Sequence, residues 1–160
     1  MNKPRALVGI AIAVSIAIPV MAQAGTPYVG GGISNNSISG WDSAVGFQVF
    51  GGYNFGEIFG VEKLDFLGEA GYMQTNDLER SNIWYRSRSY SGLWTTGGVA
   101  YPINPQWSVL GRAGFDFGDD DGLMVGGGAA FHVDRNLEFR GELVERDHIT
   151  SFQINAVYGF

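Results

Sequence analysis

The closing stretch, His148-Ile149-Thr150-Ser151-Phe152-Gln153-Ile154-Asn155-Ala156-Val157-Tyr158-Gly159-Phe160, decides the fold. Phe152, Ile154, Ala156, Tyr158 and Phe160 share one parity, while Ser151, Gln153, Asn155, Val157 and Gly159 share the other. Successive side chains of an extended chain point to opposite faces, so this segment is a strand with one apolar side and one mostly polar side. The apolar side ends in two aromatics. That is the pattern of a barrel wall in a bilayer, with aromatic rings at the lipid boundary.

The same alternation recurs upstream. Leu137, Phe139, Gly141 and Leu143 oppose Glu138, Arg140 and Glu142. Leu123, Val125, Gly127, Ala129 and Phe131 oppose Met124, Gly126, Gly128, Ala130 and His132, and Trp107, Val109, Gly111, Ala113 and Phe115 oppose Ser108, Leu110, Arg112, Gly114 and Asp116. Leu93 to Tyr101, Phe66 to Tyr72, Phe47 to Tyr53 and Tyr28 to Ile33 complete eight strands, an even number that closes antiparallel. Closure follows because hydrocarbon offers no partner to the N–H and C=O groups of a sheet edge. Turns are expected at Asn54 to Lys63, Pro102 to Pro105 and Asp134 to Asn136 at the periplasmic end. Loops at the other end are expected at Asn35 to Asp42, Thr75 to Tyr90, Gly118 to Gly122 and Arg146 to Ile149. Only the second of these loops is long.

The N-terminus reads as an export signal. Lys3 and Arg5 precede the apolar run Ala6 to Val20, and Ala22 and Ala24 form a small-x-small cleavage pattern. Pro19 and that pattern argue against an N-terminal membrane anchor. Residues 1–24 are therefore expected to be removed, leaving a single barrel domain over 25–160. Taking Lys3 and Arg5 from the 10 Lys and Arg leaves eight against 16 Asp and Glu, a formal charge of −8. So acidic a chain is a poor partner for nucleic acid. The sequence contains no Cys, which excludes a lipoprotein anchor and a disulfide scaffold, and 25 Gly, all but Gly9 after the signal. Glycine at this density beside many aromatics points to closely approaching strands.

A soluble lipocalin-like barrel also has eight antiparallel strands, but it turns its apolar set inward. Here the charges share a parity with small residues while the other parity ends in aromatics, which favours lipid outside. The motifs extend this reading. Thr96-Gly97-Gly98-Val99-Ala100-Tyr101-Pro102-Ile103, Leu110-Gly111-Arg112-Ala113-Gly114, Gly68-Glu69-Ala70-Gly71-Tyr72, Phe139-Arg140-Gly141-Glu142, Phe50-Gly51-Gly52-Tyr53 and Tyr158-Gly159-Phe160 resemble, in order and spacing, strands of the outer membrane protein A-like barrel family. The resemblance covers Thr26 to Phe160. It implies an eight-stranded antiparallel transmembrane β-barrel with Glu69 and Arg140 as an interior pair, and Tyr158 and Phe160 as a signal to the barrel assembly machinery. The sequence departs at Gly98 and Ala130, where related barrels carry a further Lys and Glu, so a gate borrowed from relatives does not transfer. No counterpart of the peptidoglycan-binding domain carried by some relatives appears.

Glu69, Arg112, Arg140 and Glu142 are the charges expected inside. Unpaired buried charge is costly, so they should pair across a lumen that eight strands leave just wide enough for side chains. A structural plug is the favoured role, and a narrow ion or solute channel is the alternative. Arg80, Arg86 and Arg88 among Trp84, Tyr85 and Tyr90 suit contact with lipopolysaccharide phosphates, outer-membrane lipid headgroups or a host ligand, beside the plain reading of a solvated loop. A lipid A-modifying enzyme is a further alternative: His148 and Ser151, with Glu142 or Glu145, could form a triad only if a bulge overcame their opposite parity. His132 reads as a polar lining residue near the periplasmic rim. Asp119, Asp120 and Asp121 lack the spaced ligands of a calcium loop. No cofactor or metal motif appears, and the chain is expected to be a monomer delivered by periplasmic chaperones.

Overall fold

The computed structural model describes residues 25–38, 43–58, 60–75, 91–118, 122–147 and 149–160. The strands are β1 (Thr26–Ile38), β2 (Ala44–Glu57), β3 (Asp65–Thr75), β4 (Ser91–Asn104), β5 (Trp107–Asp116), β6 (Gly122–His132), β7 (Leu137–Arg146) and β8 (Ile149–Gly159). Each pairs antiparallel with its sequence neighbours, and β8 returns to β1 to close the barrel, with Ile33 opposite Ile154 and Gly32 opposite Asn155. Strands of 10 to 14 residues, at ~3.4 Å per residue and a tilt near ~40°, rise roughly 26–36 Å, enough to cross the hydrocarbon of an outer membrane.

Burial settles which parity faces out. Along β8, Ser151, Gln153, Asn155 and Val157 are buried while Phe152, Ile154, Ala156 and Tyr158 are exposed. Ile33, Val49, Leu93, Val109, Leu123 and Leu143 likewise stand on the outer wall, between 43% and 64% exposed. A continuous apolar belt of this kind is untenable in water and stable in lipid. The lipocalin-like arrangement is thereby excluded. Aromatics gather toward the end at which β1 starts and β8 finishes, where Trp107 packs on Phe131 (ring centroids 5.0 Å apart) and Tyr158 on Phe160 (5.6 Å).

Several strands run further than the sequence pattern suggested. β1 continues to Ile38, and β2 passes Tyr53 to Glu57 through a bulge between Asn54 and Gly56, the latter at φ +69°. Gly56 takes that left-handed conformation without a Cβ penalty, and Asn54 Oδ1 accepts its N–H at 2.7 Å. β4 extends to Asn104, leaving only Pro105 and Gln106 as the turn; Asn104 Oδ1 accepts the N–H groups of Gln106 and Trp107, both at 2.9 Å. Arg146, read from sequence as a loop residue, belongs to β7. Turn-forming residues had marked these boundaries too early, because cross-strand pairing continues past them.

Two glycines admit large rings into the lumen. Tyr28 pairs with Gly52 and Phe50 with Gly30. A Cβ on Gly52 would lie 2.3 Å from Tyr28 Cζ, and one on Gly30 2.3 Å from Phe50 Cζ. Each ring therefore occupies the space over bare backbone, which is why this parity mixes glycine with aromatics.

Candidate functional site: the charged interior

Glu69 on β3 is the hub of the interior. Tyr28 Oη on β1 donates to Glu69 Oε1 at 2.8 Å, and Arg112 Nη1 on β5 donates to Oε2 at 2.9 Å. Arg140 on β7 donates its Nη1 to Glu69 Oε1 and its Nε to Glu138 Oε1. Arg112 also pairs through Nε with Glu142 Oε2 at 2.9 Å, and donates Nη2 to Gln153 Oε1 at 3.0 Å. Glu142 accepts a further bond from Asn155 Nδ2 at 3.1 Å. Strand parity aims these side chains inward, and closure of the sheet brings opposite walls within reach. A buried charge is tolerable where paired and hydrogen-bonded, and breaking such a pair is strongly destabilising.

Rings and aliphatic chains complete the filling. Tyr28, Phe50, Met73, Trp94, Met124, Val144 and Val157 form one buried cluster inside the barrel. Arg112 stacks its guanidinium 5.1 Å from the Trp94 ring centroid, and Arg140 lies 5.0 Å from that of Tyr28. Such cation–π contacts hold a flat guanidinium where water is scarce.

A second polar group lies toward the other rim. Arg146 Nε is 3.1 Å from Asp116 Oδ2, and its Nη1 donates to Ser151 Oγ at 3.0 Å. Ser151 Oγ in turn donates to Asn36 Oδ1 at 2.6 Å. Sequence reasoning missed this pair because Arg146 was assigned to a loop. The signal was present: Arg146 shares inward parity with Arg140 and Glu142, as Asp116 does with Arg112. Gln48, whose amide donates to Gln153 at 2.8 Å and Asn155 at 2.7 Å, was missed as well.

Of the candidate triad, Ser151 and the two Glu residues lie among the described residues. Ser151 is wholly buried among Arg146 and Asn36, Glu142 is committed to Arg112 and Asn155, and Glu145 faces outward. His148 lies outside the described residues, as do Arg80, Trp84, Tyr85, Arg86, Arg88, Tyr90 and Asp119 to Asp121. Tyr158 and Phe160 are exposed on the outer wall beside β1, where Phe160 N–H donates to Pro27 O at 3.0 Å. Among the described residues no group of His, Asp and Glu has the arrangement of a metal site.

Comparison with known proteins agrees with this architecture. The chain matches none of the curated proteins. Among solved structures it is similar to a de novo designed transmembrane β-barrel, at 22% identity and a TM-score of 0.60, covering 87% of this chain and 98% of that one. It is also similar to Ail, the attachment invasion locus protein of Yersinia pestis, in a complex with the heparin analogue sucrose octasulfate: 16% identity, TM-score 0.55, covering 85% and 97%. Neisserial surface protein A follows at 11% identity and a TM-score of 0.51, covering 84% and 95%. At these identities the likeness speaks for the fold alone. The sequence model of one family matches residues 9–160, and with the closed, lipid-facing barrel it identifies the chain as a member of the outer membrane protein beta-barrel domain family.

Proposed function

We propose that this outer-membrane barrel has a structural or surface-interaction role, with its lumen plugged rather than conducting. The observation that carries the reading is the depth of the interior charges: Glu69, Arg112, Arg140 and Glu142 are 6%, 7%, 5% and 1% exposed. Charges lining a water-filled path stay hydrated, whereas these are spent on one another and on ring faces. Planar-bilayer recording of the refolded barrel tests it. The expected result is a quiet membrane. Discrete conductance steps altered by Glu69→Gln or Arg140→Gln would replace this reading with the channel.

The surface role is assigned to the loop at 76–90. Arg80, Arg86 and Arg88, flanked by Trp84 and Tyr85, suit a polyanion such as lipopolysaccharide phosphate or a host sulfated glycan, since guanidinium forks match such oxyanions. The likeness in fold to Ail, seen with a heparin analogue, supports this class of ligand. Retention of the refolded barrel on immobilised heparin or lipopolysaccharide, lost in an Arg80/Arg86/Arg88→Ala variant, is the expected outcome; equal retention of both proteins would remove the loop from the account. On the same reading the barrel is a monomer. Periplasmic chaperones deliver it, and Tyr158 and Phe160 present it to the assembly machinery.

A further inference from the structure

We infer that the mouth at the start of β1 and the end of β8 holds a hydrolytic site for short-chain carboxylic esters, with Ser108 as nucleophile, His132 as base and Glu138 as positioning residue. The long connection, 76–90, leaves from the opposite end, so this mouth faces the periplasm. The inference stands apart from the surface role above, which rests on the far rim.

Three consecutive strands build the row. On β5 and β6, Ser108 pairs with Ala130, two residues before His132; on β6 and β7, His132 pairs directly with Glu138. Ser108 Oγ lies 2.9 Å from His132 Nε2, and His132 Nδ1 lies 3.1 Å from Glu138 Oε2. An ionised carboxylate only accepts hydrogen bonds, so Nδ1 carries the proton and the Nε2 lone pair faces the Ser108 hydroxyl. Nucleophile, base and orienting carboxylate thus stand in the order that acyl transfer requires, on the correct ring nitrogens. Glu138 is itself held, because its other oxygen accepts Arg140 Nε at 2.6 Å and Arg140 is anchored on Glu69.

Ser108 is nearly covered, at 6% exposed, and His132 and Glu138 are half-buried, so a ligand reaches the row only through the mouth. Ser108, His132 and Glu138 line a cavity of about 210 Å³ that also takes in Leu67, Leu110 and Val157. A cavity of this size has room for a short acyl group. Arg135 lines the same cavity and is the cation available to a developing oxyanion. Ser151 differs on each count: it is wholly buried and hydrogen-bonded to Arg146 and Asn36.

In the reaction, Ser108 Oγ bonds to the ester carbonyl carbon while its proton passes to His132 Nε2. The carbon–alkoxy bond then breaks, and the leaving alkoxide takes that proton as it departs as the alcohol. Water adds to the acyl-serine, giving one proton to His132. Collapse releases the carboxylic acid and returns the proton to Ser108.

The test uses the full barrel refolded in detergent, treated with a fluorophosphonate probe and separately with p-nitrophenyl acetate. Mass spectrometry is expected to find the phosphonyl adduct on Ser108, with p-nitrophenyl acetate competing for it. Ser108→Ala abolishes labelling, and His132→Gln slows it by about 100-fold or more, in the range general-base catalysis supplies. Glu138→Gln slows it less, while every variant keeps the heat-dependent gel mobility of a closed barrel. Should His132→Gln fail to fold, labelling and competition on the unmodified chain decide. Folded barrel that leaves Ser108 unlabelled, or a folded His132→Gln variant labelled at the unmodified rate, overturns the proposal and makes the row a structural hydrogen-bond chain.

Discussion

Glu69 and Arg140 stand four strands apart, on opposite walls of the barrel, and are joined by a direct ion pair across the lumen. Tyr28 and Arg112 converge on the same carboxylate. With Thr96 Oγ1 also donating to it at 3.4 Å, one acidic side chain with four donors ties the lumen through its middle, and removing it takes a carboxylate from two buried guanidiniums.

Glu69→Gln is expected to destabilise the barrel by about 3–5 kcal/mol, the cost of stranding a buried charge. Urea unfolding of the refolded protein, followed by loss of the heat-modifiable gel band, measures it. Replacing Glu69, Arg112, Arg140 and Glu142 together by apolar residues of similar volume should recover much of the loss; if it lowers stability further, the network contributes more than mutual neutralisation.

Gly52→Ala should cost about 1–3 kcal/mol, because its Cβ displaces the Tyr28 ring and breaks the bond from Tyr28 Oη to Glu69. Gly97→Ala, on the outer wall with nothing within 4 Å of the added Cβ, should change stability by less than about 0.5 kcal/mol. Equal effects at the two sites would contradict the seating of Tyr28 over Gly52.

Ile154→Arg places a charge on the lipid face at mid-strand and is expected to cost about 2–4 kcal/mol in lipid, whereas Ile103→Arg, near the strand end, should cost about 0–1 kcal/mol. Unfolding in vesicles reads both. The reverse order of costs would place the bilayer wrongly on the barrel.

The Asp134 carboxylate, in the turn between β6 and β7, accepts the N–H groups of Asn136 at 2.8 Å and Leu137 at 2.9 Å. These bonds hold its pKa below the usual aspartate range. Stability from a depressed pKa is present above the unfolded-state value and is lost as pH falls through the folded one. Asp134→Ala should thus lower the urea midpoint slightly at neutral pH, and the two proteins should converge in strong acid. A difference that persists unchanged at pH 2 would assign it to something other than this carboxylate.

Export through the reading of Ala22-Gln23-Ala24 predicts that protein recovered from outer membranes begins at Gly25. Intact-mass measurement of that fraction checks it. A mass that includes residues 1–24 would make them an anchor.

The local pattern was legible because lipid and lumen impose opposite chemistries on alternate residues. Phe152, Ile154 and Tyr158 against Ser151, Gln153 and Asn155 needed nothing beyond period two, whereas the inner set of β6, Met124, Gly126, Gly128 and Ala130, carried little polarity. Strand ends were less legible, since Asn54, Pro102 and Asn104 have turn propensity yet sit in paired strands, and pairing is a property of two segments. The interior was legible as composition and not as contacts. Parity placed Glu69, Arg112, Arg140 and Glu142 inside, but gave no partner for any of them.

Partners depend on how far each strand is staggered around the closed sheet, and that stagger is set by eight registers acting together. It carries Arg140 to Glu69 over four strands, and sets Arg146 beside Asp116. It also lines up Ser108, His132 and Glu138, which are 24 and 6 residues apart in sequence yet adjacent in the mouth. The sequence by itself determined which side chains share a face, because the pleat makes that choice one residue at a time, and it favoured lipid for the face edged with aromatics. Only the tertiary structure decided which interior groups touch, because barrel closure fixes the stagger of all the strands at once.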